Sequence, residues 1–316
     1  EDVSYDTQNL VTKSWPILVP KLRAESIRYL LRGFLNVMLA PNGQDASCDI
    51  AETNIKTIMY VYSPALPSCM IEVFKGLMSA CREDIAVSRI SRCVALACDI
   101  ARIYGSHMNE TDVDSLAKLL CDLFMHAKST VRGKTLQGFS VIAMFGSDAT
   151  FDSIATFLEG KLEHIDSASL DLAKAAAAGL THFVKDSGTR WQSRASELAS
   201  RLMLVVSQEV DEDVDEFAFD ELREELIYVL SYLVEKCSST LAPSIVLQLH
   251  TFGLHYIKHD PNHVEQDEGS DDDEFYDDED DDGGDFDNDE DVSWKVRSRA
   301  ARLLGMLYAR YSRLLE

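Results

Sequence analysis

Apolar residues in this chain recur at spacings of three and four, the rhythm of a helix with one buried face, and hardly anywhere in the alternation of a half-buried strand. Across residues 112–124, Val113, Leu116, Leu119, Leu120 and Leu123 fall on one face. The same stripe predicts helices near residues 24–38, 51–62, 65–78, 87–104, 132–144, 150–162, 169–184, 193–206, 221–236, 243–257 and 294–311. The punctuation agrees: Thr111 and Asp112 precede one helix and Asp148 another as candidate caps, while Gly105, Gly146 and Gly188 lie just past apolar runs. Short connections then make neighbouring helices antiparallel hairpins.

The hairpins recur at about 40 residues, the period of HEAT or armadillo arrays. Pair starts fall near Ile50, Ile85, Val131, Ser167 and Glu221. Val131-Arg132 and Val296-Arg297 each open a helix that continues in small or apolar residues, a pattern common at the start of a HEAT repeat's second helix. The fold class is therefore all-α, an α-solenoid of HEAT-type hairpins, because one repeat cannot bury its apolar face alone. The expected division is repeats over residues 1–264, in about six helix pairs, an acidic disordered loop over 265–291 and a further, incomplete repeat helix over 292–316. That last helix, ending at Leu314-Leu315-Glu316, is expected to find no partner within the chain.

Composition changes the picture chiefly through charge. The formal charge is −24, but 18 acidic residues and no Lys or Arg lie between Glu265 and Asp291, so the rest of the chain stands at only −6. A nearly balanced body carries one acidic insert. Duplex nucleic acid and anionic membranes, which need positive surface, are excluded as main partners, and basic protein surfaces are favoured. No apolar run approaches the ~18 residues of a membrane span and no signal segment opens the chain, so the expectation is a soluble intracellular protein. The seven cysteines are odd in number and sit mostly in apolar stretches, which reads as buried free thiols in a reducing compartment.

The insert itself reads first as a solvated loop, since closely spaced like charges cannot fold into a core. A sharper reading makes it a lure for a basic partner, with Phe275, Tyr276 and Phe286 as weak anchors. Calcium binding at Asp271, Asp272, Asp273 and Glu274 is disfavoured, because the spaced ligands and placed glycine of an EF-hand are missing. His255, His259 and His263 stand at the spacing of helical metal ligands, but Pro261 should end the helix first, so they read as a structural or solvated cluster. Cys93 and Cys98 are spaced as core residues and not as a metal or redox pair. No Gly-rich phosphate loop, nucleophile elbow or His-Glu-x-x-His motif is present, and no catalytic, cofactor or metal residue is assigned.

The flanks of the insert carry the most specific signal. Tyr256-Ile257-Lys258-His259-Asp260-Pro261-Asn262 stands before it, and Asp291-Val292-Ser293-Trp294-Lys295-Val296-Arg297 follows, leading into Ala300, Ala301 and Leu304. This arrangement resembles the signature region of the Cand family, the cullin-associated and neddylation-dissociated proteins. Asp220-Glu221-Leu222-Arg223-Glu224 is similar to the family's preceding helix opening, and Arg82-Glu83-Asp84 to a repeat junction. The likeness is strong over residues 220–304 and faint over 1–162.

The resemblance implies a HEAT solenoid that wraps un-neddylated cullin and RING-subunit cores. Its N-terminal repeats would cover the modified lysine, and its C-terminal repeats would compete with the substrate adaptor, making the whole an exchange factor for substrate receptors. This chain would supply an early stretch, either as the N-terminal chain of a split form joined by a separate C-terminal Cand chain, or as a trimmed piece. Nucleus and cytoplasm are the expected location. The signature residues Asp260, Pro261, Asn262, Ser293, Trp294, Lys295, Val296 and Arg297 read as structural, with Trp294 packing between repeats and Arg297 tying neighbouring repeats together. Rival readings are an importin-like carrier or phosphatase-type scaffold, and a histone chaperone using the acidic insert.

Overall fold

The computed structural model describes residues 5–40, 45–82, 87–126, 128–187, 189–209, 213–259 and 293–316, with side chains from residue 10 onward. The described residues form α1 (Tyr5–Leu18), α2 (Ala24–Leu39), α3 (Asp45–Met59), α4 (Leu66–Ala80), α5 (Val87–Tyr104), α6 (Glu110–Phe124) and α7 (Ser129–Phe145). They continue as α8 (Asp148–Glu159), α9 (Leu170–Asp186), α10 (Ala195–Val206), α11 (Glu216–Lys236), α12 (Pro243–Tyr256) and α13 (Ser293–Leu315), with no strand among them.

Every helix that the apolar stripe predicts is present, and the differences lie at the ends. The cap of α6 is Asn109, whose side chain accepts from the Asp112 amide at 2.8 Å, and the cap of α8 is Ser147, accepting from Thr150 at 3.2 Å. Thr111, Asp112 and Asp148 thus sit inside the first turn, where a carboxylate favours the positive helix end. Asp215 caps α11, which starts a turn earlier than its apolar stripe. The helix α1 escaped the pattern because its described apolar residues are mostly exposed. Only Trp15 is buried, its indole donating to Asn54 of α3.

Two compact units divide the chain: residues 1–163 with 175–190, and residues 164–174 with 191–316. In the first, hairpins α2/α3, α4/α5 and α6/α7 stack so that α2, α4, α6 and α8 form one layer and α1, α3, α5 and α7 the other. The pair starts expected near Ile50 and Val131 therefore fall on the second helix of their pairs, and that near Ile85, itself outside the described residues, directly precedes the second helix α5. Periodicity fixes the repeat length but leaves its phase open.

Leu31, Ile55, Met70, Phe74, Leu77, Phe124 and Phe139 fill the space between the layers. Glycines mark the closest helix approaches: a methyl at Gly138 would stand 2.7 Å from Leu120 and 2.9 Å from the Cys98 sulfur. Phe183 of α9 stacks on Phe151 at 4.6 Å. Polar struts join successive helices of each layer, Arg28 to Glu72 at 2.8 Å, Lys75 to Asp112 at 3.4 Å, Lys56 to Asp99 at 3.7 Å, and Arg92 to Asp49.

In the second unit α10 packs on α11 and α12 on α13, with α10 beside α12 and α11 beside α13. The last helix is not without a partner, as the sequence suggested. It lies on both α11 and α12, burying Val296, Ala300, Leu303, Leu304 and Leu307, and Leu304 closes over Gly253. These residues follow the same three-and-four rhythm, and the α11 and α12 stripes supply the complementary face.

All seven cysteines are free, six of them buried and Cys121 partly so. Burial pushes the Cys98 thiol up to about 12 and those of Cys121 and Cys237 to about 11, so they sit as neutral core groups.

Candidate functional site

The signature residues Ser293, Trp294, Lys295, Val296 and Arg297 form the first turns of α13. Asp260, Pro261 and Asn262 lie outside the described residues, as do His263, Glu83, Asp84, Gly188 and the whole of Glu265–Asp291 with its aromatics.

Around this turn the second unit holds a buried polar cluster centred on Asp220. Its carboxylate is fully buried, accepts from Arg223 Nη1 at 2.7 Å, and lies 2.9 Å from His259 Nε2 through both oxygens. An ionised carboxylate leaves water at great cost unless paired, and the i,i+3 spacing of Asp220 and Arg223 on α11 supplies the pairing locally. Arg223 also donates to the Val206 carbonyl at 3.3 Å and covers the Phe219 ring at 4.6 Å. Tyr256 donates its hydroxyl proton to the same carbonyl at 2.9 Å. Arg297 donates to the His259 carbonyl and to Ser293 Oγ, each at 2.8 Å. One cluster therefore joins the end of α10, the start of α11, the end of α12 and the start of α13.

The Val-Arg pattern acquires a physical meaning here. Val131 and Val296 are both buried at the start of a second helix, and the arginine that follows each reaches a carbonyl just past the preceding helix: Arg132 to His126 at 3.0 Å, Arg297 to His259 at 2.8 Å. Carbonyls past a helix end lack an intrahelical donor, and a guanidinium satisfies them with a charge-assisted bond.

His259, read as one of three spaced histidines, serves as the partner of Asp220, and no group of three metal-ligating side chains occurs among the described residues. Trp294 departs from expectation. It is 56% exposed and does not pack between repeats. Ser293, Val296 and Ala300 take the inward face of α13, and one residue's step turns Trp294 about 100° away from it. The pairing of Asp220 with Arg223 and His259 was missed from sequence. Its signal was an acid and an arginine three apart on the helix face that also carries Phe219, Leu222, Leu226 and Ile227.

Beyond this cluster, two open grooves in the first unit lie between same-layer helices. One, of about 430 Å³, runs between α2 and α4 past Arg28, Arg32 and Leu35. The other, of about 480 Å³, runs between α6 and α8 past Ala117, Cys121 and Phe157.

No family model matches the chain. Over its full length it is 26% identical to "Cullin-associated NEDD8-dissociated protein 1" of Arabidopsis thaliana, covering 25% of that protein. It is 24% identical to the protein of the same name from Drosophila melanogaster, with the same coverage of both chains. With "Cullin-associated NEDD8-dissociated protein 2" of Mus musculus the identity is 28%, over 97% of this chain and 25% of that one. The chain thus spans about a quarter of the length of these relatives, and the similarity runs through the N-terminal part, where the motifs are faint. Among solved structures, a designed armadillo repeat protein aligns with a TM-score of 0.40 and 14% identity over 88% of this chain and 99% of that one.

Proposed function

We propose that this chain is a non-catalytic scaffold of cullin-RING ubiquitin ligases. In this reading it binds the un-neddylated cullin and RING core, hinders neddylation and, together with a separate C-terminal Cand chain, promotes substrate-receptor exchange in the nucleus and cytoplasm. The observation that carries the reading is similarity along the whole chain to proteins named for their association with cullins. Stacked hairpins suit the task, because an extended surface sums many modest contacts where an enzyme needs one dry pocket. The overall charge of −24 supports protein partners over nucleic acid or membrane.

Co-purification with unmodified and neddylated cullin-RING cores, with and without the C-terminal part, tests it. Capture of the unmodified core alone, strengthened by the C-terminal part, is the expected outcome, and capture of neither core sinks the proposal. Histone-tail binding stays the rival because of the acidic run. Removing residues 265–290 should abolish histone capture and leave cullin capture largely intact.

A further inference from the structure

Against the acidity of the chain, α13 is a cationic helix: it carries Lys295, Arg297, Arg299, Arg302, Arg310 and Arg313 and no acidic residue. The cluster described above occupies Arg297. Arg299 is held by Glu224 of α11 through two bonds of 3.0 and 2.8 Å. Lys295 and Arg302 share one helical face by their spacing, and neither has a carboxylate partner among the described residues, while Arg313 lies past a kink at Tyr311.

Beneath these cations α11 places two tyrosines, the half-buried Tyr228 and the buried Tyr232. The Arg299 guanidinium lies 4.0 Å from the Tyr228 ring centre, and that of Arg302 lies 5.0 Å from the same ring and 5.7 Å from Tyr232. The two tyrosine hydroxyls are 2.9 Å apart and hold both rings in place. Two arginines therefore share one ring, only one of them neutralised, with Lys295 a further cation on the same face.

We infer that this cation-aromatic face, built from Lys295, Arg299 and Arg302 of α13 on Tyr228 and Tyr232 of α11, docks an acidic segment of a partner protein. The Tyr228 ring restrains the Arg302 guanidinium before anything binds, so less side-chain freedom is lost when a carboxylate accepts its donors, while Arg299, held by Glu224, adds positive charge beside it. Arginine and tyrosine are also the residues that most often dominate protein interfaces. A long polyanionic nucleic acid meets the net charge of −24 over its whole length, whereas a short acidic segment needs only the few cations of this face. The inference is independent of whether the partner is a cullin.

The test is fluorescence anisotropy of a labelled dodecapeptide of alternating Asp and Glu with one central Phe, titrated with the whole chain at low and moderate salt. A serine-substituted peptide and a single-stranded oligonucleotide serve as controls. Saturable binding of the acidic peptide that weakens with salt is expected. The Lys295→Glu/Arg302→Glu variant should lose at least about tenfold in affinity with unchanged thermal melting. The milder Arg302→Lys keeps the charge but not the planar stack and should lose about threefold, which provides a readout should the double variant fail to fold. Absence of saturable peptide binding, equal affinity in the variants, or tighter binding of the oligonucleotide than of the peptide would overturn the inference.

Discussion

The two units solve one mechanical problem, holding successive helices in register, at very different energies. In the first, the struts are half-exposed ion pairs such as Arg28 with Glu72, whose side chains keep 35% and 42% of their surface in water. In the second, the tie is the Asp220 cluster, whose carboxylate sees no solvent at all. An exposed pair is worth at most ~1 kcal/mol and sets spacing more than stability. A buried pair adds little over an apolar packing of equal volume, but removing one member strands the other, so it makes the arrangement specific and intolerant of change. The same helical hairpin can thus be tied loosely or tightly without altering its backbone.

The strongest way to break this comparison is Asp220→Ala. It should cost about 3–5 kcal/mol by leaving buried Arg223 with only the half-exposed Glu216 carboxylate at 3.9 Å, read as a lower denaturation midpoint of the second unit. A midpoint shift no larger than that of a surface variant would show the two ties to be equivalent. Next comes a pair of glycine variants. Gly138→Ala should destabilise by about 1–3 kcal/mol through the collision with Leu120 and Cys98. Gly305→Ala, with nothing within 4 Å of the new methyl, should be neutral or stabilise by up to ~1 kcal/mol.

The Arg28→Ala substitution should cost less than ~1 kcal/mol, with the deficit fading in high salt, as thermal melts at two ionic strengths would reveal. Trp294→Ala should shift stability by no more than about 0.5 kcal/mol, because the indole is mostly in solvent. A large loss there would mean that something covers the ring.

Acidity offers another probe. Folded Cys98 and Cys237 titrate above the ordinary thiol value, at about 12 and about 11, so the unfolded chain releases its thiol protons first. The stability they confer is complete below pH ~9 and is lost as pH rises from there through the folded values, so melting temperature should decline on the alkaline side.

Much of this architecture was legible in the residues. Helices with a continuous three-and-four stripe, such as α5 at Val87–Tyr104, were readable to the residue, because periodicity and burial have one cause. α1 was not, since one buried tryptophan makes no stripe. Nor was the phase of the hairpins, which depends on which neighbour a helix faces and not on its own pattern. At the signature turn Ser293 and Val296 are buried and Arg297 donates to the His259 carbonyl, whereas Trp294, expected between repeats, is turned out by the angular step from Ser293. Of the two partners of Asp220, Arg223 stands three residues on along α11, but His259 lies past α12, and no local spacing encodes that second meeting.

The arginine bond to His259 also bears on how the chain can change over generations. Between α6 and α7 the equivalent bond spans a connection of a few residues, whereas between α12 and α13 it persists across the 33 residues from Asp260 to Val292. A flexible connection costs only about 0.6 kcal/mol more for each doubling of its length once its ends are fixed, so residues added between His259 and Ser293 should cost the α12/α13 pair little. A reporter protein or an affinity handle grafted there should leave the repeats on either side in register.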